Sequence, residues 1–238
     1  MSKTHSPKLM TLQVGLPREV EATGPGDLSE INWTTGFFKQ PVHESAYARA
    51  LGIDGDGQAD LVNHGGPDKA ICVYSFDHYP YWQDILKVDP LPTGAFGENF
   101  TVESLEESTI CIGDTWRVGE SVIVQVSQPR QPCWKLARRW QRKTLALEVQ
   151  DSGKTGWYFR VVEEGMVQAG MALTLIERKH PDWTVTRANQ VMHHDKQNHA
   201  AAQELAAVPE LSASWKNTLT RRAKEKQTSS EQARLAGE

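Results

Sequence analysis

Residues Ser121–Ser127 put Val122, Val124 and Val126 on one side of an extended chain and Ile123, Gln125 and Ser127 on the other. A period of two with one wholly aliphatic side is the pattern of a strand with a strongly buried face. Short β-branched runs recur at Leu9–Leu16, Ala70–Tyr74, Thr109–Val118 and Ala172–Glu177, most of them bounded by Gly, Pro or Asp. Gly113-Asp114 and Val118-Gly119-Glu120 read as turns, so residues 109–127 are expected to form a hairpin or meander. The expected class is therefore mainly β (α+β): a β-barrel or closed, curved sheet with peripheral helices. One helix is expected over Asp77–Lys87, capped by Asp77 with Pro80 in its first turn. Another is expected from Pro132 onward, because Pro favours the first helical position and Lys135–Arg139 are good helix formers.

After His180-Pro181-Asp182 the chain turns polar and alanine-rich. Three helices fit there, about Thr186–His194, Gln197–Ala207 and Ser212–Lys226, with breaks at Asp195 and Pro209. The expected division is residues 1–181 as the barrel, 182–226 as a three-helix unit and 227–238 as a flexible polar tail. With 238 residues, 39% of them hydrophobic, the chain is long enough for one substantial core and a smaller appendage. A net charge of -4 argues against general binding to nucleic acid or an anionic membrane, both of which need a basic face. Met1–Met10 is polar, contains Pro7 and reads as a frayed end rather than a signal peptide. Three widely spaced cysteines fit reduced thiols, and hence a cytoplasmic location.

Cys133 carries the strongest chemical signal. It stands in Ser127-Gln128-Pro129-Arg130-Gln131-Pro132-Cys133-Trp134-Lys135-Leu136, where a strand is expected to give way to a helix. Two fixed positive charges, Arg130 and Lys135, together with a helix start would favour the thiolate over the thiol. Thiolates bind soft metals and attack electrophiles, so the position suits a thiophilic metal or covalent sulfur chemistry. Cys72 and Cys111 fall in apolar strands and read as core, leaving no second thiol near Cys133. A zinc site would need paired ligands at short spacing, which do not accompany Cys133. His193, His194 and His199 read as solvated residues of the helical unit.

Two glycine loops could support that site. In Asn63-His64-Gly65-Gly66-Pro67-Asp68-Lys69, adjacent glycines allow main-chain N–H groups to approach an anion, and His64 and Lys69 add charge or hydrogen bonds. The same residues also make an ordinary turn. In Gly94-Ala95-Phe96-Gly97-Glu98-Asn99-Phe100, Glu98 is placed to position a ligand amine or water and Asn99 to hold a loop through backbone bonds. A plain turn into the next strand fits equally. Ile53–Asp60 lacks the terminal bidentate Glu of a calcium loop and reads as a lead into the His64 segment.

Taken together, Gly55-Asp56-Gly57-Gln58-Ala59, His64–Lys69, Gly97-Glu98-Asn99, Ile112-Gly113-Asp114, Ser127–Leu136 and Gly153-Lys154-Thr155-Gly156-Trp157 resemble the MOSC domain, in its YiiM-like branch. The family is named for the C-terminal domain of molybdenum-cofactor sulfurase, and the terminal helices around Leu211–Trp215 look like that branch's three-helix domain. The resemblance implies a MOSC-type β-barrel and a cysteine, here Cys133, that ligates molybdenum or carries sulfur. It implies a molybdenum cofactor (molybdopterin), with Cys133, Arg130 and His64 as catalytic residues. Gly65, Gly66, Asp68, Lys69, Glu98, Asn99, Ser127, Gln128 and Lys135 are the implied cofactor contacts. It further implies reduction of N-hydroxylated bases such as 6-hydroxylaminopurine. With no Rossmann fingerprint, flavin site or iron–sulfur cysteine cluster in the sequence, electrons would come from a separate flavoprotein reductase. A Cys133 persulfide carrier and a non-catalytic cofactor binder are the competing readings, and either a monomer or a homodimer is compatible.

Overall fold

Backbone hydrogen-bonding geometry organises the chain around one curled sheet in the computed structural model, which describes residues 6–22, 28, 32–226, 228 and 230–237. Thirteen strands are formed among the described residues: β1 (Lys8–Val14), β2 (Arg18–Val20), β3 (Trp33–Thr35), β4 (Gln40–Val42), β5 (Ala46–Arg49), β6 (Gly52–Ile53), β7 (Ile71–Ser75), β8 (Phe100–Glu103), β9 (Thr115–Val118), β10 (Val122–Pro129), β11 (Trp157–Glu163), β12 (Gly165–Val167) and β13 (Leu173–Glu177). Eight make the main sheet, in the order β13-β9-β10-β11-β7-β8-β1-β4. The sheet curls until β1 reaches β13. Leu9 N donates to Met171 O at 2.8 Å, Leu173 N donates to Pro7 O at 2.9 Å, and Lys8 bridges Ala172. This closure corrects the frayed-end reading of Met1–Met10: residues 1–5 lie outside the described residues, but Lys8, Leu9 and Met10 belong to β1, and Leu9 is fully buried.

Val122, Val124 and Val126 are all 0% exposed, so the alternation does report a buried face. Each such side chain contributes about 1.5–3 kcal/mol by leaving water. β9 and β10 form the expected hairpin, although β9 begins only at Thr115. Before it, Cys111 N donates to the Asp114 carboxylate (2.8 Å) and Gly113 takes φ 81°, a turn that interrupts the apolar run. β7 and β8 pair in parallel, which requires a crossover; α1 (Tyr79–Leu86) lies in it. Pro80 falls in the first turn as expected, but Asp77 is not the cap. Ser75 Oγ accepts from Asp77 N and opens a 3-10 turn, while the Asp77 carboxylate accepts from Ser104 N.

α2 (Lys135–Trp140) starts later than the Pro132 onset expected, so Cys133 precedes the helix instead of lying in its first turn. Its carbonyl already accepts from Leu136 N (3.0 Å). α3 (Leu145–Ser152) follows. The C-terminal unit contains α4 (Val185–Asn189), which runs on as a π-helical turn to His194, α5 (His199–Ala206) and α6 (Ala213–Glu225). Thr184, Asn198 and Ser212 cap them by accepting from Arg187 N, Ala201 N and Trp215 N. Residues 227, 229 and 238 lie outside the described residues, yet the segment read as a flexible tail contains a further short helix, α7 (Gln232–Ala236).

Helical unit and sheet share one apolar cluster: Val185, Leu205, Trp215 and Leu219 join Leu12, Val73, Val124 and Phe159. A second cluster lies beneath α1–α3, where Phe96 stacks on Tyr74 with ring centroids 4.2 Å apart. Polar ties fix the junction between the units. Asp68 Oδ2 accepts from Ala213 N (3.0 Å), Ser127 O accepts from Ser212 N (2.9 Å), and Ser214 Oγ donates to Gln128 Oε1 (3.1 Å). Asp68 Oδ1 also takes two bonds from Arg160. Because charged hydrogen bonds contribute about 1.5–3 kcal/mol each when one partner is lost, Asp68→Ala is expected to lower unfolding free energy by about that amount. It should also speed amide exchange at Ala213, both measurable by denaturant titration and hydrogen exchange.

Candidate functional site

The pocket forms where the end of β10 meets the loop before β7. Arg130 leaves β10 with its N–H donated to Gly156 O (3.0 Å), which turns the side chain inward. Its guanidinium is 5% exposed; Nη2 donates to Phe96 O (2.7 Å), while Nη1 is buried without a partner among the described residues. Such a half-used buried guanidinium is costly unless something accepts from it. Three residues on, Cys133 is 7% exposed, and its sulfur lies 3.6 Å from His64 Nε2. Both line the pocket with Arg130, Lys69 and Lys135.

Asp60 shapes the His64 loop. Its carboxylate accepts from Asn63 Nδ2 (2.9 Å), Asn63 N (3.0 Å) and Val62 N (3.1 Å), and the Asn63 side chain leads the effects that hold its pKa at about 2 despite partial burial. His64 Nδ1 is 3.5 Å from Asp60 Oδ2. Burial is the main reason the imidazole is pushed down to about 4, with Lys135, Lys69 and Arg130 adding to the effect and Asp60 opposing it. Near neutral pH His64 is therefore uncharged. Lys69 donates to Asn63 O (2.6 Å), and burial lowers its own pKa. Arg130, Lys69 and Lys135 thus face a pocket whose histidine adds no charge.

Several residues expected as cofactor contacts are committed elsewhere. Glu98 is fully buried: Oε1 accepts from Gly94 N, Thr101 Oγ1 and the Tyr79 hydroxyl, and Oε2 from Phe96 N. It folds the 94–98 loop and has no room for a ligand amine. Asp68, Ser127 and Gln128 tie the two units together as described, and Ser127 Oγ also donates to Tyr158 O. Neither Gly65 nor Gly66 is part of the pocket wall. Gly66 is nonetheless required by its backbone, φ 88° and ψ 171°, a region closed to residues with a Cβ. Asn99 lines the pocket and holds the loop as expected, accepting from Cys72 N (3.1 Å) and donating to Gln13 O (3.2 Å).

Other pocket residues were not legible in the sequence. Cys72 is buried as expected, but it lines the same pocket as Cys133, against the reading that no second thiol lies nearby. β7 is buried on both faces, so alternation offered no sign of which face meets the pocket. Burial pushes the Cys72 thiol up to about 11, and the Tyr158 hydroxyl hydrogen-bonds it. Cys72 therefore stays a thiol at neutral pH. Lys39, paired with buried Asp56, forms another part of the wall; that partnership spans 17 residues and matches no motif. In the helical unit, His193 is 5% exposed rather than solvated. Arg222 is buried, donating to Val191 O and Met192 O, and Trp215 is core.

Residues 60–174 match the MOSC domain family, and residues 183–223 match the YiiM-like, 3-alpha helix domain. YflK of Bacillus subtilis (strain 168) is 45% identical over 208 residues, covering 87% of this chain and 90% of YflK. The protein is thus a MOSC protein. The crystal structure of YiiM from Geobacillus stearothermophilus superposes with a TM-score of 0.76 at 35% identity, covering 91% of this chain and 99% of that one. The chain belongs to the YiiM-like branch of the MOSC family. A protein of Gibberella moniliformis (strain M3125 / FGSC 7600) named "Reductase" is 33% identical over 161 residues, covering 67% of this chain but 28% of the fungal protein. Among the described residues no helix is long and apolar enough to cross a membrane.

The electrostatics give a direct test. Imidazole titration followed by NMR should place His64 near pH 4, and Lys135→Met should raise that value by removing a neighbouring cation. Since the folded-state pKa lies below the unfolded value of about 6.5, the unfolded chain binds the extra proton first. His64 therefore costs no stability above about pH 6.5 and progressively destabilises the fold as pH falls toward 4. His64→Asn should flatten that part of the stability profile.

Proposed function

We propose that this protein is a molybdenum-cofactor-dependent reductase that converts N-hydroxylated bases, such as 6-hydroxylaminopurine, to amines with electrons from a separate flavoprotein. The observation that carries the reading is the pairing of the Cys133 sulfur with a cationic wall that includes an unpartnered buried Arg130 Nη1. Among the described residues no three His, Cys, Asp or Glu side chains gather as a metal-binding set. A single thiol suits a metal that arrives already chelated, and three cations suit an anionic group such as the cofactor's phosphate. The donor set thus fits the group the family implies. Membership of the MOSC family and similarity to a protein named "Reductase" support the same class of chemistry.

In this reading Cys133 would ligate the metal, while Arg130, Lys69 and Lys135 would hold the phosphate. Bound there, the cofactor supplies the two electrons that, with two protons, turn R–NH–OH into R–NH2 and water. Burial is the chain's first contribution, because each of these charges acts more strongly away from water. Its second is proton handling at His64. Asp60 Oδ2 lies 3.5 Å from Nδ1, which makes no hydrogen bond among the described residues, while Nε2 is turned toward the Cys133 sulfur. Nε2 is placed to take the thiol proton when sulfur becomes a ligand, and the low imidazole pKa means that the proton is passed on rather than kept.

Protein purified from a cofactor-producing host should contain molybdenum and pterin in near-equal amounts. Cys133→Ala should abolish molybdenum retention, whereas Cys72→Ala should keep most of it. Arg130→Ala should weaken retention tenfold or more with a smaller effect on folding, since its charge faces the pocket. Metal-free wild-type protein carrying a thiol-releasable sulfur would instead identify a sulfur carrier. Loaded protein that fails to reduce hydroxylaminopurine with an added flavoprotein reductase would be a binder.

A further inference from the structure

Both peptide groups that flank Cys133 are gripped by one residue from the far end of the chain. The Arg234 guanidinium donates through Nη1 to Pro132 O, and Trp134 N donates back to Arg234 O (2.9 Å). Gly237 then lies against the Trp134 indole so closely that an added Cβ would come within 2.9 Å of Cγ.

The short helix that carries Arg234 has little other reason to be there. α7 has five residues and buries none of them fully, and a helix of that length has negligible stability alone. Polar contacts hold it. Glu231 accepts from His193 Nδ1 (2.8 Å) and Lys196 Nζ (2.6 Å), both of the three-helix unit, and from Arg234 Nη2 (3.0 Å). Arg234 Nη2 also donates to Gln150 Oε1 (2.6 Å) on α3. Burial alone would raise the Glu231 carboxyl, but the hydrogen bonds from His193 and Lys196 hold it well below the usual range. Glu231 therefore acts as a charged anchor for the strap.

We propose that Arg234 is a positioning residue for Cys133, and that the C-terminal strap makes the three-helix unit a structural part of the thiol site. Its importance for function rests on Cys133 being the working thiol, but the geometry can be tested on cofactor-free protein. The strap fixes the peptide planes on both sides of one residue, which sets where the sulfur points without touching it. A metal ligand or sulfur carrier needs that restraint more than a core residue does.

The test uses the full-length chain with Arg234→Ala, Arg234→Lys and Glu231→Gln. Site-resolved hydrogen exchange would follow the Trp134 amide against amides of β10, and iodoacetamide labelling would follow Cys133 against Cys111. Arg234→Ala should speed Trp134 exchange at least tenfold and Cys133 labelling at least threefold, leaving β10 and Cys111 unchanged. Arg234→Lys, which can still donate to Pro132 O, should recover much of both effects, and Glu231→Gln should act in the same direction less strongly. Wild-type exchange and labelling in both Arg234→Ala and Glu231→Gln would overturn the proposal. So would uniform acceleration through β10 and Cys111, which would mark a general loss of stability. If the strap behaves as expected but molybdenum is never retained, the functional reading fails and the positioning role stands.

Discussion

No side chain can be accommodated at Gly156. Its φ is 74°, and a Cβ there would lie 2.2 Å from Val73 O, inside any allowed contact. That close approach lets β11 enter alongside β7, with Trp157 opposite Val73 and Tyr158 opposite Cys72. The Gly156 carbonyl meanwhile accepts from Arg130 N at the end of β10. One residue without a side chain thus sets where three strands meet, and the pocket's Arg130, Cys72 and Tyr158 all take their places from it. A methyl group at this position would require the strands to part or the turn to be rebuilt.

Around that junction, charge is divided between structure and pocket. The carboxylates are used up: buried Glu98 accepts four hydrogen bonds within its own loop neighbourhood, partly buried Asp68 joins Arg160 to α6, and Asp56 neutralises Lys39. Burying an acid is tolerable when its acceptors are filled. Arg130 is the opposite case, with one buried nitrogen unpartnered. The imbalance gives the cavity its positive character even though the chain as a whole has a net charge of -4.

Local physics determines what the sequence made legible. The period-two face of Val122, Val124 and Val126 depends on neighbouring residues alone, as do the breaks between α4, α5 and α6 at Asp195 and Pro209, and these were readable. The Cys133 segment and His64 could be singled out because prolines, glycines and cations were gathered within a few positions. The same proximity misled for Asp68, Ser127 and Gln128: they adjoin the pocket in sequence, but Asp68 and Gln128 bond to the helical unit through their side chains and Ser127 through its carbonyl, its hydroxyl turning to Asp68 O and Tyr158 O. Cys72 was hidden because β7 is buried on both faces, which erases alternation. Arg234 was hidden by distance and by its setting in a polar, small-residue tail, which reads as disorder when its partner is out of view.

His64 comes to Cys133 from 69 residues away, and Arg234 reaches Pro132 from 102. Contacts that close such long loops cost more chain entropy than the turn of the β9–β10 hairpin does. A partly folded molecule can therefore hold an intact β9–β10 hairpin and still carry an ungripped, unscreened thiol. Only the completed fold brings sulfur, imidazole and guanidinium together.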